Sequence, residues 1–425
     1  MRILARRSVA ASVALLAMAM APANAQLASD DVPRERTIPR TEQIRRQLKD
    51  SRYHLGPFRV QPVFGLRDFG YDNNVFGSEN DQVADWRSTV SAGARLILPV
   101  GPKMYLRGKL VPEYTWYQKL ADRRVFGGDY SASALGLFNH LSLEAGGDVF
   151  KGVSPVTSEI ERSALGTRAS GFAKGEVDLI GRVSLFAQGE SQRQRYEVKA
   201  ADAQIGLEQL ERTDAVVRSG IRYRFASYLD FSAAVERTTS TFLTGTERDN
   251  HSDAVILGVH YDRPRTFVNL AVGSRKGEAK AATSIFPHYK TTTGSYYASH
   301  EFARRALVDA FGHRGVVYGL FLDNPYYFEA RNGAGLTIPI GQRLAVRGFG
   351  ELGKNGYPVT VLVSGVPTKR NDDVTVTGGG MAFRTYRKIV LAILATSYRY
   401  SSNIPNFDRS IFRLTTTVSF GGDFF

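Results

Sequence analysis

The chain has no cysteine, only two tryptophans, and no apolar run long enough to cross a bilayer as a helix. The absence of cysteine excludes a disulfide framework, an iron–sulfur cluster and a thiolate zinc site. The apolar run from Val9 to Met20 is shorter than the roughly 20 residues that a transmembrane helix needs. No composition break, proline-rich linker or charge run follows residue 57, although 425 residues normally divide into several domains. The sequence therefore indicates one large unit that carries no disulfide and no spanning helix.

The N-terminus has the pattern of a secretory signal peptide. Three arginines precede the apolar run, and the small-residue sequence Ala-Asn-Ala ends at Ala25. We expect residues 1–25 to be removed by cleavage between Ala25 and Gln26. The chain has a formal charge of +14, but an exported protein does not meet nucleic acid where it works. The basic excess is therefore predicted to face lipopolysaccharide phosphates or a water-filled interior.

Polar and apolar residues alternate from residue 58 almost to the C-terminus. In 213–225, Ala215, Val217 and Ile221 share one face, and Arg218 and Arg222 share the other. Successive side chains of a strand point to opposite faces of its sheet. Each segment of this kind is therefore predicted to be a strand with one apolar and one charged face.

Connections between these segments alternate in length. Short turns such as 100–102 and 226–227 are separated by longer polar stretches such as 71–85 and 353–371. Outer-membrane barrels sort their connections in this way, with short periplasmic turns and long external loops. A soluble sandwich has no reason to do so.

The segments number 18, and this even number is expected when both ends of a barrel face the periplasm. Segments 129–138 and 372–386 alternate poorly, so a count of 16 stays open. We predict an all-β fold, a transmembrane antiparallel up-and-down β-barrel over residues 58–425. An open sheet in lipid would leave an edge without hydrogen bonds, so the sheet must close.

A barrel of 16 to 18 strands is wide enough to hold an aqueous channel. Its inner face would carry basic side chains, for which the candidates are Arg95, Arg107, Lys109, Arg168, Arg218, Arg222, Arg343 and Arg347. Acidic residues share the same face, so two outcomes stay open. Either the basic excess gives weak anion preference, or cross-strand ion pairs leave no selectivity.

Residues 26–57 are predicted to be a periplasmic N-terminal segment. Thr41 is placed to cap a short helix that runs through Asp50, with Ile44 and Leu48 on one side. A mobile lead-in to the barrel is the favoured interpretation. The alternative is that the segment folds into the lumen and narrows it.

The two chain ends of the barrel each carry a pattern typical of outer-membrane proteins. The final aromatic residues resemble the signal that the barrel assembly machinery recognises, with Phe424 in register with the lipid-facing side chains. Residues 56–76 resemble the start of a bacterial outer-membrane β-barrel porin family, often found beside exopolysaccharide genes. The matching positions are Gly56, Phe58, Pro62, Tyr71, Asp72, Asn74, Val75 and Phe76. The resemblance implies a barrel, an outer-membrane location and no catalytic residues.

No motif that carries catalysis, a cofactor or a metal is found in a fitting context. The stretch 348–353 matches a dinucleotide fingerprint in letters, but it lies inside an alternating strand. We therefore predict no enzyme and no cofactor. The leading hypothesis is passive passage of small hydrophilic solutes through a porin-like channel. The alternatives are polysaccharide export, with Tyr296, Tyr297, Tyr326 and Tyr327 as sugar-binding candidates, and a barrel enzyme. Expected partners are outer-membrane lipid, lipopolysaccharide, the barrel assembly machinery and the solute or polysaccharide.

Overall fold

The structure is a computed structural model that describes residues 40–51, 53–197, 206–281, 284–302, 306–385 and 389–420. Its described part contains one α-helix, α1, at Arg40–Asp50, and a three-residue strand, β1, at Tyr53–Leu55. None of the helices in the described residues is long and apolar enough to span a membrane. The predicted cleavage site at Ala25 and Gln26, and the terminal Phe424, lie outside the described residues.

Eighteen long strands follow β1. They are β2 Phe58–Asp72, β3 Asp85–Val100, β4 Met104–Tyr117, β5 Val125–Leu137, β6 Leu141–Pro155, β7 Ser163–Asp178, β8 Val183–Tyr196, β9 Arg212–Ala226, β10 Leu229–Phe242, β11 Asn250–Arg263, β12 Thr266–Ala279, β13 Tyr289–Glu301, β14 Leu307–Tyr318, β15 Tyr326–Ile340, β16 Leu344–Val363, β17 Val366–Arg384, β18 Ile389–Ser402 and β19 Arg409–Phe420.

The long strands form a closed ring. Each of β2 to β18 pairs antiparallel with the next strand, and β19 pairs antiparallel with β2, where Leu414 lies opposite Tyr71. Closure leaves the ring without an edge, so its backbone groups find partners without water. The prediction of an antiparallel up-and-down barrel of 18 strands is confirmed, and the count of 16 is wrong.

Side chains sort onto two faces along each strand. On β9, Val217 and Ile221 point outward and are 63% and 44% exposed, and Arg218 and Arg222 point inward. Outward Val235, Val255 and Leu257 on the neighbouring strands β10 and β11 are more than half exposed. An apolar outer belt around a polar interior is the arrangement of a barrel that sits in lipid.

Connections differ at the two ends of the ring. At one end they are short, such as residues 227–228 and 264–265. At the other end lie longer loops, including 118–124, 156–162 and 243–249. By the usual orientation of such barrels, the short-turn end faces the periplasm and the long-loop end faces outward.

The stretch 353–371 corrects the sequence prediction of a long loop. It is a hairpin, because β16 and β17 run to Val363 and Val366 and are joined by two residues only. The joining residues, Ser364 and Gly365, have φ angles of 50° and 83°. Two consecutive positive φ angles make the tight turn that suits a hairpin. Valine and threonine are frequent in this stretch, and β-branched residues favour strands.

Candidate functional site: the constricted lumen

Ion pairs cover much of the described inner wall. Glu236 on β10 is 6% exposed and lies between two guanidinium groups, those of Arg218 and Arg275. The Nε atom of Arg218 is 2.7 Å from Oε2 of Glu236. Because opposite charges face each other on neighbouring strands, the wall is polar without a large excess of one sign.

Several of the predicted lumen residues belong to such pairs. Arg107 contacts Glu144 at 2.5 Å, Lys109 contacts Asp129, and Arg222 contacts Glu176. Arg347 is 5% exposed, and its guanidinium group forms two hydrogen bonds to Asp309, of 2.7 and 2.8 Å.

The remaining predicted residues have different surroundings. Arg95 lies on the inner face of β3, opposite Lys109. Arg168 lies on the inner face of β7 beside Phe150, is exposed, and forms no ion pair within the described part of the chain. Arg343 lies in the short turn between β15 and β16, at the periplasmic rim rather than deep in the lumen.

A bulge in β2 adds two charges to the wall. The register between β2 and β3 shifts between Arg67 and Gly70, and Asp68 has a φ of 52°. A bulge turns consecutive side chains toward the same side of a sheet. Arg67 therefore contacts Glu113, and Asp68 lies 3.3 Å from Arg87.

The loop 156–162, which joins β6 to β7, crosses the lumen. Its residues Val156 and Glu159 are 0% and 1% exposed, so other parts of the protein surround them. It contacts each of the strands β15 to β19, and β16 is nine strands away from β7 in either direction around the ring. We call residues 156–162 the crossing loop.

Polar contacts anchor the crossing loop to the far wall. Oε1 of Glu159 accepts a hydrogen bond of 3.3 Å from Arg370, and Oε2 accepts one of 2.6 Å from the backbone N–H of Leu320. Glu161 accepts bonds of 2.6 Å from the Tyr400 hydroxyl and 3.2 Å from Arg413. Burial raises the pKa of Glu159 above its ordinary value, although Arg370 acts in the opposite direction.

Arg248 ties other external loops together beside the crossing loop. Its guanidinium group donates to the carbonyl oxygens of Gly319, Pro325 and Gln209 at 2.5, 2.9 and 3.0 Å. The side chain is 0% exposed, and this burial lowers its pKa to about 10. Its contacts join the loops after β8, β10 and β14 at the outer mouth.

The residues of the Tyr-Asp-x-Asn-Val-Phe match form an ordered corner at the same mouth. Asp72 accepts hydrogen bonds from Arg413 at 2.8 Å and from the backbone N–H of Asn74 at 2.9 Å. The ring of Phe76 lies 4.6 and 4.3 Å from the guanidinium carbons of Arg123 and of Arg162 in the crossing loop. Such cation–π contacts hold charged side chains against an apolar ring.

The other matching residues lie on the periplasmic half or on the outer surface of β2. Gly56 has a φ of 58° and forms the turn between β1 and β2. Phe58 and Pro62 are exposed, and the Tyr71 ring is 5.7 Å from that of Trp86 on the lipid side. Aromatic residues are typical of the level where lipid meets water.

At the periplasmic end, α1 packs against the inner wall. Ile44 is 2% exposed and contacts Ile97 on β3 and Leu135 on β5, with Leu48 and Tyr105 beside them. Arg45, Arg46 and Lys49 lie on the exposed side of the helix. Sequence reasoning could identify the apolar side of this helix, but not the wall that it contacts.

The described residues contain no group of three or more metal-binding side chains. His313 lies 2.7 Å from Glu329, which also accepts a hydrogen bond from Ser158 of the crossing loop. The carboxylate therefore lies between the histidine and the serine. A base that activates a serine must itself contact the serine hydroxyl, and His313 does not. The fingerprint-like stretch 348–353 lies within β16, as predicted.

The tyrosines considered for sugar binding are not open to the lumen. Tyr297 and Tyr327 point inward but are 5% and 0% exposed, and Tyr326 is 1% exposed. Tyr296 points outward and donates a hydrogen bond to Asn332. A ring must present a free face to stack on a sugar.

No protein-family model matches the chain, and neither does any curated protein. Among solved structures, a BenF-like porin from Pseudomonas fluorescens Pf-5 is similar, with a TM-score of 0.52 at 11% identity over 85% of this chain and 99% of that chain. OccAB3 from Acinetobacter baumannii has a TM-score of 0.51 at 12% identity, over 85% and 99% of the two chains. The chain has the fold of an outer-membrane porin.

A third similar structure is OccK2 (OpdF) from Pseudomonas aeruginosa in complex with glucuronate, with a TM-score of 0.51 at 12% identity. The similarity covers 85% of this chain and 98% of that chain. At such identities the likeness concerns the fold alone. The closed barrel and its apolar belt are those of an outer-membrane protein, as the resemblance of residues 56–76 implied.

Proposed function

We propose that the protein is a passive channel for small hydrophilic solutes and carries out no catalysis. The observation that carries this proposal is the closed 18-stranded ring, whose inner wall is lined with charged pairs and whose interior holds the crossing loop. A barrel of this size encloses a water-filled interior. A loop across that interior limits the size of what passes.

Charge pairing argues for weak ion selectivity. Arg107, Arg218, Arg222 and Arg347 each face a carboxylate, so they add little net field to the lumen. Arg168 is exposed on the inner wall and has no such partner in the described residues. We expect a slight preference for anions, set by the few basic side chains of this kind.

The test is current through planar bilayers that contain the purified full-length protein and a salt gradient. We expect discrete conductance steps and a small reversal potential toward anions. Arg168→Gln should move the reversal potential toward cations, because an exposed positive charge leaves the lumen.

A matched control is Arg193→Gln, which removes an exposed arginine from the outer face of neighbouring β8. This change should leave the reversal potential where it is. An absence of conductance steps, or clear cation preference in the unchanged protein, would contradict the proposal.

The N-terminal segment is proposed to narrow the periplasmic opening. The contact of Ile44 with Ile97 and Leu135 supports this arrangement. Outer-membrane lipid, lipopolysaccharide and the barrel assembly machinery are proposed as partners. Polysaccharide export is not favoured, because Tyr297, Tyr326 and Tyr327 are buried.

A further inference from the structure

Basic side chains form a row on the outer face of the barrel, near its long-loop end. On each strand they lie on the loop side of outward apolar residues, such as Val272 on β12 and Leu352 on β16, which are 44% and 66% exposed. We call these residues the basic row: Arg193 and Arg195 on β8, Arg237 on β10, Lys276 on β12, Lys290 on β13, Arg314 on β14, Lys354 on β16 and Arg399 on β18.

All eight residues of the basic row are exposed, and few are neutralised. Arg237, Lys276 and Lys354 pair with Asp253, Glu278 and Asp373. Within the described part of the chain, the other members form no ion pair. The row therefore holds a net positive charge directly above an apolar surface.

Lys276 and Lys290 bring two basic groups of the row together, although Lys276 also contacts Glu278. They lie directly opposite each other on β12 and β13. Like charges in such a position repel each other and weaken the sheet. Arg314 follows on β14, where it lies opposite Gly294. An anionic group that contacts Lys290 as well as Lys276 relieves this repulsion.

The other side of the barrel lacks this feature. Strands β2 to β5 have no charged residue on their outer faces in the described structure, and they carry Phe69, Trp86, Tyr114 and Phe126 there. Strands β2 to β5 therefore contribute nothing to the basic row, whose members lie on β8–β18. If these basic residues served only solubility, they would be expected all around the ring.

We propose that the basic row binds the phosphate groups of lipopolysaccharide in the outer leaflet, with Lys276, Lys290 and Arg314 at its centre. The side chains reach from the edge of the apolar belt, which is the level of lipid headgroups. Clustered basic residues at that level attract anionic lipid. The inference rests on the outer-membrane location of the barrel and is independent of whether it conducts.

The test compares lipopolysaccharide retained by the purified full-length protein and by the Lys290→Gln/Arg314→Gln variant. We expect retention or rebinding of added lipopolysaccharide to weaken by about fivefold for each basic residue removed, given ~1 kcal/mol per charge. Lys290→Arg/Arg314→Lys should bind as the unchanged protein does, and dephosphorylated lipopolysaccharide should bind weakly to all of them.

The control is Lys103→Gln/Arg182→Gln, which removes two exposed basic residues at the opposite, short-turn end. This variant should retain lipopolysaccharide. Equal binding by the test and control variants, or equal binding of the dephosphorylated lipid, would overturn the proposal. To check that each variant is folded, unheated samples are run on a detergent gel, where a folded barrel migrates differently from the heated chain. Conductance in lipopolysaccharide-free bilayers is measured separately, because it tests the channel proposal and not lipid binding.

Discussion

At the scale of single residues, glycine and aromatic side chains fit together on the inner wall. Gly333 on β15 leaves room for the ring of Phe311, which lies opposite it on β14. A methyl group at Gly333 would lie 2.6 Å from that ring and 2.9 Å from the carbonyl oxygen of Gly350. Position 333 therefore has no room for a side chain, because both the Phe311 ring and the Gly350 backbone are too close.

Gly333→Ala is expected to destabilise the barrel by about 1–3 kcal/mol, because the ring and the backbone must move apart. The measurement is the midpoint of urea-induced unfolding in lipid vesicles. Gly348→Ala is the matched control, since a side chain at that position on the next strand meets nothing within 4 Å. Equal midpoints for the two variants would contradict this account.

Glu159 makes the crossing loop sensitive to pH. Burial raises its pKa while the loop is docked, so the docked loop keeps a proton to higher pH than a free loop. Acidification through that range therefore favours docking, and rising pH weakens it. We expect single-channel conductance to fall as the pH is lowered through the raised pKa of Glu159 in the docked loop.

Glu159→Gln mimics the protonated side chain and keeps the contact region intact. The variant should show the low conductance at every pH and lose the dependence on pH. Glu79→Gln, which alters an exposed carboxylate in the loop after β2, should keep the dependence of the unchanged protein. A Glu159→Gln channel that still responds to pH would show that another group is responsible.

At the scale of elements, local patterns predicted the strands well. The alternation in 213–225 lies within β9, which begins at Arg212 and ends at Ala226. Period-two alternation is a local signal that the lipid on one side and water on the other impose on each strand. The stretch 353–371 was misjudged because its polar residues suggested a loop, although its valines and Ser364-Gly365 favour a hairpin.

Contacts between distant elements could not be predicted in this way. The crossing loop meets strands that are some 200 residues away, as the bond between Glu159 and Arg370 illustrates. Nothing in the local pattern of 156–162 distinguishes an inward loop from an outward one. The pairing of Arg218 with Glu236 could not be predicted either, because the register between β9 and β10 decides which charges meet.

Helix α1 offers a test at this scale. Ile44→Asp places a charge in the apolar contact with Ile97 and Leu135, and we expect α1 to leave the wall. Single-channel conductance should then increase. Gln47→Asp adds the same charge on the exposed side of the helix and should leave conductance close to that of the unchanged protein. Unchanged conductance in Ile44→Asp would contradict a narrowing role.

At the scale of the whole molecule, we propose that the N-terminal pattern is the export signal of this barrel. A barrel that faces lipid on its outside has to leave the cytoplasm before it folds, and a cleavable signal peptide directs that export. N-terminal sequencing of protein from outer membranes should therefore begin at Gln26. Replacing Ala25 with a bulky residue should leave the longer precursor. A mature protein that begins at Met1 would contradict this prediction.

The pairing of β2 with β19 means that the ring can close only when the last strand is in place. Residues 58–72 begin the barrel and residues 409–420 complete it, so the closing seam joins the two most distant parts of the ring. Until the last strand arrives, β2 exposes an unsatisfied edge, and such edges recruit other chains. Bringing two ends together over so long a separation is also slow. We therefore expect the chain to need protection from other chains until β19 pairs with β2.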